Sequence, residues 1–561
     1  MRSIDWRKDG FYLNGKKVPL KGVCEHHDLG ALGSAFHTRA YERKIEILKE
    51  MGCNSIRMTH NPPAPEVLDL CDKHGILVID ELFDIWKNQK YDKVNGYHKY
   101  WPQWWRKDVR NFVMRDRNHP SIIAWCGGNE IPEIHMKDGA AVSSALREEF
   151  RIYDTTRPYT VGVNDCVSSM KNGFVESMDV MGFNYRPFFY GEFREKYPER
   201  PYYGSETCSC VGTRDTYFFP MGWRVGDGSR MFMVSAYGLY APHWGCAPDA
   251  EWAAHSRNPD VAGEYVWTGF DYLGEPTPYN QDQSNAANFG GMSEAEKKAA
   301  MDMMARMGNK APSRSSYFGI IDLAGFPKDT YYLYQSKWRP ELPQAHILPH
   351  WNWQGREGQV TPVIVFSSGD EAELFLNGKS LGVRRLGENP QDTFTQREVK
   401  LPKSSYRFVW DDVKYQPGKL EVVVKKDGKV WAKATRETTG PVAEVKAEVD
   451  RSTILGDARD LAHISLALVD EKGNVVPTDD KKVSFSCNGP AELVGFCNGD
   501  QTDQRCMQAP DQKFFRGRIL AIVRAKRGQE GTATVHVRAE GMPEITIPVT
   551  VQKATPEQLK K

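Results

Sequence analysis

Two glutamates, each closing a short apolar run, are the residues of this chain best suited to chemistry. The run His119-Pro120-Ser121-Ile122-Ile123-Ala124-Trp125-Cys126-Gly127-Gly128-Asn129-Glu130 ends in an Asn–Glu pair, and Arg200-Pro201-Tyr202-Tyr203-Gly204-Ser205-Glu206 ends in a single carboxylate. Continuous apolar runs of this length read as buried parallel strands. In a barrel of parallel strands the strand ends meet on one face, where active sites sit. Two carboxyl groups facing each other across a cleft suit the cleavage of a glycosidic bond. One protonates the leaving oxygen, and the other attacks the sugar or activates water. Retention through a covalent intermediate asks for carboxyl groups about 5–5.5 Å apart. It also asks for two different environments, so that Glu130 donates a proton while Glu206 attacks as an anion.

Polar sets recur at the other strand ends. They are Cys24-Glu25-His26-His27-Asp28, Arg57-Met58-Thr59-His60-Asn61-Pro62, Asp80-Glu81-Leu82-Phe83-Asp84-Ile85-Trp86, Asn184-Tyr185-Arg186 and Trp267. A lone polar residue at a strand end is as often structural as functional; seven sets on one face point to a site. Strand-end histidines can ligate zinc. Here His26, His27 and His60 read instead as hydrogen-bonding groups for sugar hydroxyls, because HExxH is absent and the glutamates already supply acid and nucleophile. No metal or cofactor is expected. A serine nucleophile is poorly supported, since no GxSxG falls between a strand-like run and a helix-period stretch. Fifteen tryptophans are present. Any one of them is more often core than ligand-facing, but Trp86, Trp101, Trp104, Trp105, Trp244 and Trp267 fall near expected loops and together suit a sugar cleft.

Positioning such a site needs a barrel, and residues 1–340 read as one. Eight strand-like runs, at 18–24, 53–58, 76–80, 122–128, 159–163, 180–184, 202–205 and 262–267, alternate with helix-period stretches. Thr38 is expected to cap a helix over 41–51; further helices are expected at 65–74 and 102–117. Eight such units predict a (β/α)8 TIM barrel. Beyond about residue 341 the texture becomes all-β, with strands expected at 360–366, 371–377, 420–424 and 430–435 around Asn377-Gly378 and Asp427-Gly428 turns. A second series follows Gly440-Pro441, at 443–449, 462–469, 482–486, 519–525, 532–538 and 545–551. The reading is a barrel over 1–340, a β-sandwich over 341–440 and an immunoglobulin-like β-sandwich over 441–553. The sandwiches are expected to cover the barrel's flank or bind glycan weakly, without contributing to the chemistry.

Bulk properties narrow the function classes. At 561 residues the chain is too long for one core. Its formal net charge is +1, so no nucleic-acid footprint is present. No run reaches membrane-spanning length, and residues 1–9 lack the apolar stretch of a signal peptide. The eleven cysteines show no disulfide or CxxC pattern, and Cys24, Cys53 and Cys126 lie inside apolar runs as small buried hydrophobes. The expected partner is a glycoside or oligosaccharide, with no nucleic acid and no membrane; a homo-oligomer is compatible. Bacterial cytoplasm or periplasm is the expected compartment.

Five separated motifs, in order, resemble glycoside hydrolase family 2. They are Asn14-Gly15-Lys16-Lys17-Val18-Pro19-Leu20-Lys21-Gly22-Val23, Ser55 to Pro62, Asp80-Glu81, His119-Pro120-Ser121-Ile122 and Gly128-Asn129-Glu130. The resemblance implies Glu130 as acid/base and Glu206 as nucleophile. It implies Asn129 on the sugar 2-hydroxyl, Tyr185 hydrogen-bonded to the nucleophile and Arg57 as its electrostatic support. His26, His60 and Trp267 would line the subsite of the terminal sugar; Asp84, from the third strand-end set, is counted with them as substrate-binding. The stretch from Gly319 to Trp338 looks most like the β-galactosidases of the family, implying a retaining exo-β-galactosidase. Other exo-specificities, β-glucuronidase among them, and a chain that binds carbohydrate with little turnover are the alternatives. Family β-glucuronidases carry an Asn-x-Lys pair after strand eight; Ser313-Arg314-Ser315-Ser316-Tyr317 lacks it, and Asn88-Gln89-Lys90 reads as a chance match. The family normally places a jelly-roll and an immunoglobulin-like domain before the barrel, and neither is expected here, since residue 1 falls just before it.

Overall fold

The computed structural model describes residues 2–90, 94–279, 293–306, 312–397 and 399–560. Eight parallel strands close into a barrel: β1 Leu20–Glu25, β2 Ser55–Met58, β3 Leu77–Glu81, β4 Ile122–Asn129, β5 Tyr159–Val163, β6 Val180–Asn184, β7 Tyr202–Thr207 and β8 Gly263–Val266. Each pairs with its successor, and β8 closes the circle onto β1 with Val266 opposite Val23. Residues β2 to β8 are buried throughout, as expected of strands covered by helices outside and packed side chains inside. β1 begins two residues later than the apolar run suggests, because Pro19 has no N–H to give the ladder. β2 also begins late. The Asn54 side chain stands in for strand pairing there, accepting from Lys21 N at 2.8 Å and donating to Pro19 O at 2.9 Å.

The helices follow their apolar stripes. Thr38–Met51 buries Tyr41, Ile45, Leu48 and Met51, and Gly52 ends it with φ +107°. Thr38 is its first residue, not its cap: His37 holds that position without a side-chain hydrogen bond. Pro65–His74 opens on its proline and closes at Gly75, φ +70°. Trp101–Asp116 lies one residue earlier than expected. Among the described residues no helix is long and apolar enough to cross a membrane. An N-terminal hairpin, Ile4–Arg7 with Gly10–Leu13, covers the end of the barrel away from the site. There Trp6 donates to Ile123 O at 3.1 Å and packs against Phe11 and Tyr203.

Two β-sandwiches follow. In the first, the sheet of Ala345–Leu348, Val363–Ser367 and Phe408–Trp410 faces the sheet of Lys379–Arg385, Glu371–Leu376, Lys419–Lys426 and Lys429–Glu437. Val363, Val365 and Trp410 meet Leu374, Val422 and Val424 in the core between them. Asn377-Gly378 and Asp427-Gly428 have positive φ at both positions, the two-residue hairpin turn that Asn-Gly and Asp-Gly favour. The second sandwich sets a four-stranded sheet against a five-stranded one, with its core at Ile464, Phe485, Val523 and Val535. Several strands have no clear signature in the sequence. Lys379–Arg385 is an edge strand whose side chains are exposed or half-buried, none fully buried, and it carries no apolar alternation.

Neither sandwich is separate from the barrel. Leu348, Ile364, Phe366, Phe394 and Leu401 of the first, and Leu461, Cys497, Leu520 and Ile522 of the second, belong to the barrel's own buried cluster. Arg407 forms a fully buried ion pair with Asp249. Arg214 bonds Asp322 and reaches Asn498 O at 2.9 Å and Phe515 O at 3.0 Å. A two-stranded hairpin, Thr393–Gln396 with Val399–Pro402, leaves the first sandwich and buries Phe394 and Leu401 against the barrel side.

Candidate active site

A cavity of about 740 Å³ opens at the C-terminal ends of the barrel strands. Of the residues singled out in the sequence, His26, His60, Asp84, Asn129, Glu130, Tyr185, Glu206 and Trp267 all line it. Arg57 does not: it is fully buried and lies behind the wall.

Glu206 stands at the end of β7. One carboxylate oxygen accepts from Arg57 Nη1 at 2.9 Å and the other from the Tyr185 hydroxyl at 2.5 Å. His60 Nε2 lies 3.7 Å from the first oxygen. Burial, then Glu206 and Glu130, push the Tyr185 phenol well above its ordinary value, so the hydroxyl keeps the proton it donates. Glu130 follows β4 directly. Asn184 Nδ2 donates to it at 3.0 Å, and no other side-chain contact of comparable strength is seen among the described residues. Burial, then the neighbouring Glu206, raise the Glu130 carboxyl above its ordinary value. The two glutamates therefore differ in kind. Glu206 accepts from a cation and a hydroxyl, whereas Glu130 sits in a site that favours the protonated acid. Glu130 and Tyr185 both have positive φ, +46° and +56°, a conformation L-residues adopt sparingly and which recurs at functional sites.

Arg57 joins four strands. Besides Glu206 it meets Glu81 Oε2 at 2.6 Å and donates to Asn129 Oδ1 at 3.0 Å. Asn129 Oδ1 also accepts from Asn184 Nδ2 at 2.9 Å. Gly162 on β5 makes the room: a Cβ there would lie 2.4 Å from Asn129 Oδ1 and 2.9 Å from Arg57 Nη2. Glu81 in turn receives His60 Nδ1 at 2.9 Å. Burial opposes charge on both members of that pair; Arg57 and then His60 outweigh it at Glu81, and Glu81 with Glu206 outweighs both burial and Arg57 at His60. The Glu81 carboxyl is lowered and the His60 imidazole raised. His60 thereby presents Nε2 to the cavity. Trp267 stacks on it, with centroids 5.2 Å apart and planes at 13°. His26, wedged among His60, Trp267 and Tyr272, is held neutral by burial, its pKa pushed down to about 3.

Arg57→Met is expected to destabilise the fold by about 3–5 kcal/mol, because it leaves Glu81 and Glu206 buried without their cation. Urea denaturation measures this; a loss below about 1 kcal/mol would mean that the guanidinium is not what holds the two carboxylates together.

Some residues in the wall or buried behind it lie outside the expectations. Asn184 and Glu81 were visible only as members of strand-end sets, without a role. Lys90 and Tyr272 stand on loops, where spacing carries no signal. Lys90 Nζ meets Asp84 at 2.7 Å and Asn129 O at 2.9 Å, so the lysine of Asn88-Gln89-Lys90 does reach the cavity. Asn88 instead spends its amide on Glu133, at 2.7 Å. Of the six tryptophans grouped as a sugar cleft, only Trp244 and Trp267 line the cavity. Trp86 and Trp101 are core, and Trp104 is exposed on the helix Trp101–Asp116.

Comparison with known proteins gives three family matches. Residues 4–207 match the TIM barrel domain of glycosyl hydrolases family 2, residues 445–548 match the family 2 C-terminal domain 5, and residues 358–432 match a domain of unknown function. A β-galactosidase of Bacteroides ovatus is 34% identical over 98% of this chain and 63% of its own length. A β-glucuronidase of Formosa agariphila is 23% identical over 98% of this chain and 49% of its own. The chain thus spans about half to two thirds of the length of these relatives. Among solved structures, a family 2 glycosyl hydrolase of Bacteroides cellulosilyticus superimposes with a TM-score of 0.80 at 30% identity, over 98% of this chain and 65% of that one.

Proposed function

The chain belongs to glycoside hydrolase family 2, and we propose that it is a retaining exo-β-glycosidase that releases terminal β-D-galactosyl residues by double displacement. The observation that carries this reading is the contrast between two carboxyl groups on one cavity. Glu206 accepts from Arg57 and Tyr185, while burial and Glu206 raise Glu130. Glu206 attacks the anomeric carbon as Glu130 gives its proton to the departing oxygen, leaving a glycosyl ester on Glu206. Glu130, now anionic, takes a proton from water as that water attacks the same carbon, and Glu206 leaves as the carboxylate. Asn129, fixed by Arg57 and Asn184, holds the 2-hydroxyl; His60, His26, Asp84 and Trp267 bound the terminal sugar.

Galactose is favoured by the B. ovatus β-galactosidase, which aligns along nearly the whole chain. A uronic acid is the second reading, and the presence of Lys90 in the wall is what speaks for it. Two contacts speak against: Asp84 neutralises the ammonium, and Asn88 is turned to Glu133. Nitrophenyl β-galactoside and β-glucuronide assayed side by side decide between them. The galactoside is expected to have at least about tenfold higher kcat/KM, roughly 1.4 kcal/mol in the barrier. A preference for the glucuronide would replace the galactosidase reading, and no turnover on any aryl β-glycoside would refute the glycosidase reading itself.

A further inference from the structure

Among the described residues the first sandwich lines none of the cavity, yet one of its side chains ends between two residues that do. Arg397, at the turn of the hairpin Thr393–Gln396 with Val399–Pro402, has φ +54° and is half-buried. Its Nη1 donates to Tyr185 O at 2.7 Å and to Trp244 O at 2.6 Å. The same guanidinium lies over the Phe188 ring, 4.9 Å from the centroid. Tyr185 belongs to the loop after β6 and Trp244 to the long segment between β7 and the helix Pro248–Arg257. One nitrogen with two N–H bonds therefore sets the distance between two walls of the cavity.

Neighbouring side chains of the same sandwich make this a built support. Gln396, fully buried, donates to Leu239 O at 3.1 Å and accepts from Ala247 N at 2.8 Å. Arg407 reaches Tyr237 O at 3.1 Å and pairs with Asp249. The stretch from Tyr237 to Asp249 is thus held at both ends, and Arg397 holds its middle, beside the substrate. That stretch has no strand or helix before Pro248; among the described residues its backbone ties to the barrel side are at Tyr240, Ala241 and Cys246, which bond Val211, Val225 and Cys208, and none is at Trp244. Hydrogen bonds from a charged donor are the stronger kind, and a planar guanidinium fixes direction as well as distance.

We propose that Arg397 is a positioning residue of the active site, through which the first β-sandwich sets the Tyr185 and Trp244 loops at the cavity wall. The carbonyl of Tyr185 belongs to the residue whose hydroxyl holds Glu206, so the effect reaches the nucleophile. The kinetic part rests on the glycosidase reading; the positional part does not.

Arg397→Ala and Arg397→Lys in the full chain test it. Hydrogen exchange over residues 184–189 and 242–247 should quicken in Arg397→Ala, with the barrel strands unchanged. On nitrophenyl β-galactoside, kcat/KM should fall about 10- to 100-fold, the range of a lost charged hydrogen bond. KM should rise as well as kcat fall, whereas a smaller folded fraction would lower kcat alone. Arg397→Lys, which keeps the charge and N–H donors, should recover part of the loss. Combined with Tyr185→Phe, the losses in kcat should be less than multiplicative, since both act on Glu206 through one residue. Unchanged exchange in both loops, or an unchanged KM with multiplicative losses, would overturn the proposal. If the parent chain turns over no aryl glycoside, the glycosidase reading fails and exchange alone decides the role of Arg397.

Discussion

Glu206→Gln is expected to reduce turnover by about 10⁴-fold or more, roughly 5 kcal/mol or more in the barrier. The amide keeps the shape of the carboxylate but cannot form the glycosyl ester. It also loses an acceptor. Arg57 Nη1 and the Tyr185 hydroxyl both donate to Glu206 now, and a glutamine must present an NH₂ to one of them. Some loss of stability is therefore expected alongside, and the folded fraction is to be measured with the rate. A 2-fluoro-galactoside with a good leaving group should label the parent chain on the peptide that contains residues 202–207. It should leave the variant unlabelled. Label found on another carboxylate would remove Glu206 from the role of nucleophile, whatever the rate.

Glu130→Ala should give a loss that depends on the substrate. Glycosides with poor leaving groups need the proton and should slow by about 10²–10⁴-fold, the usual contribution of a general acid. Nitrophenyl glycosides need it much less in the first step and should accumulate the glycosyl enzyme. Azide, which attacks without a general base, should then restore turnover and yield a β-glycosyl azide. The pH profile gives an independent check. The acid form is the active one, and burial together with Glu206 moves its pKa above the ordinary 4.5. In the parent chain the alkaline limb of kcat/KM should fall as pH rises through the raised value. Glu130→Gln should lose that alkaline limb. Equal losses on both substrate types, with the limb retained, would assign the acid elsewhere.

The barrel and the pair of glutamates were legible because both rest on local rules. Eight apolar runs separated by helix-period stretches leave few other topologies, and a polar residue that ends such a run must face the strand-end side. Tyr159–Val163 and Val180–Asn184 were readable to the residue on that basis. What was not legible is contact across sequence distance. That Arg57 would span Glu81, Asn129 and Glu206 depends on the closure of the barrel and on Gly162 leaving space. Lys90 sits on an irregular loop, where no period marks a direction. The sandwiches were expected to stand outside the chemistry, and their strands do stay out of the cavity wall. The hairpin Thr393–Gln396 with Val399–Pro402 nevertheless reaches the loops that form it. Its alternation of Phe394 with Gln396 and Val399 with Leu401 is present in the sequence, but nothing there says what the turn touches.

The interleaving of apolar side chains from both sandwiches with the barrel's buried cluster bears on ancestry. Beads on a string recombine freely, since each brings its own interior. Here Phe366, Phe394, Leu461 and Leu520 complete an interior that is not their own. A recombination event that replaced either sandwich with a foreign one would have to supply matching shapes at that seam in a single step. The three parts are therefore expected to descend as a unit, their seam residues changing in concert. Novelty would enter instead at the rim, where loops such as the one carrying Lys90 can lengthen or shorten without disturbing the shared interior.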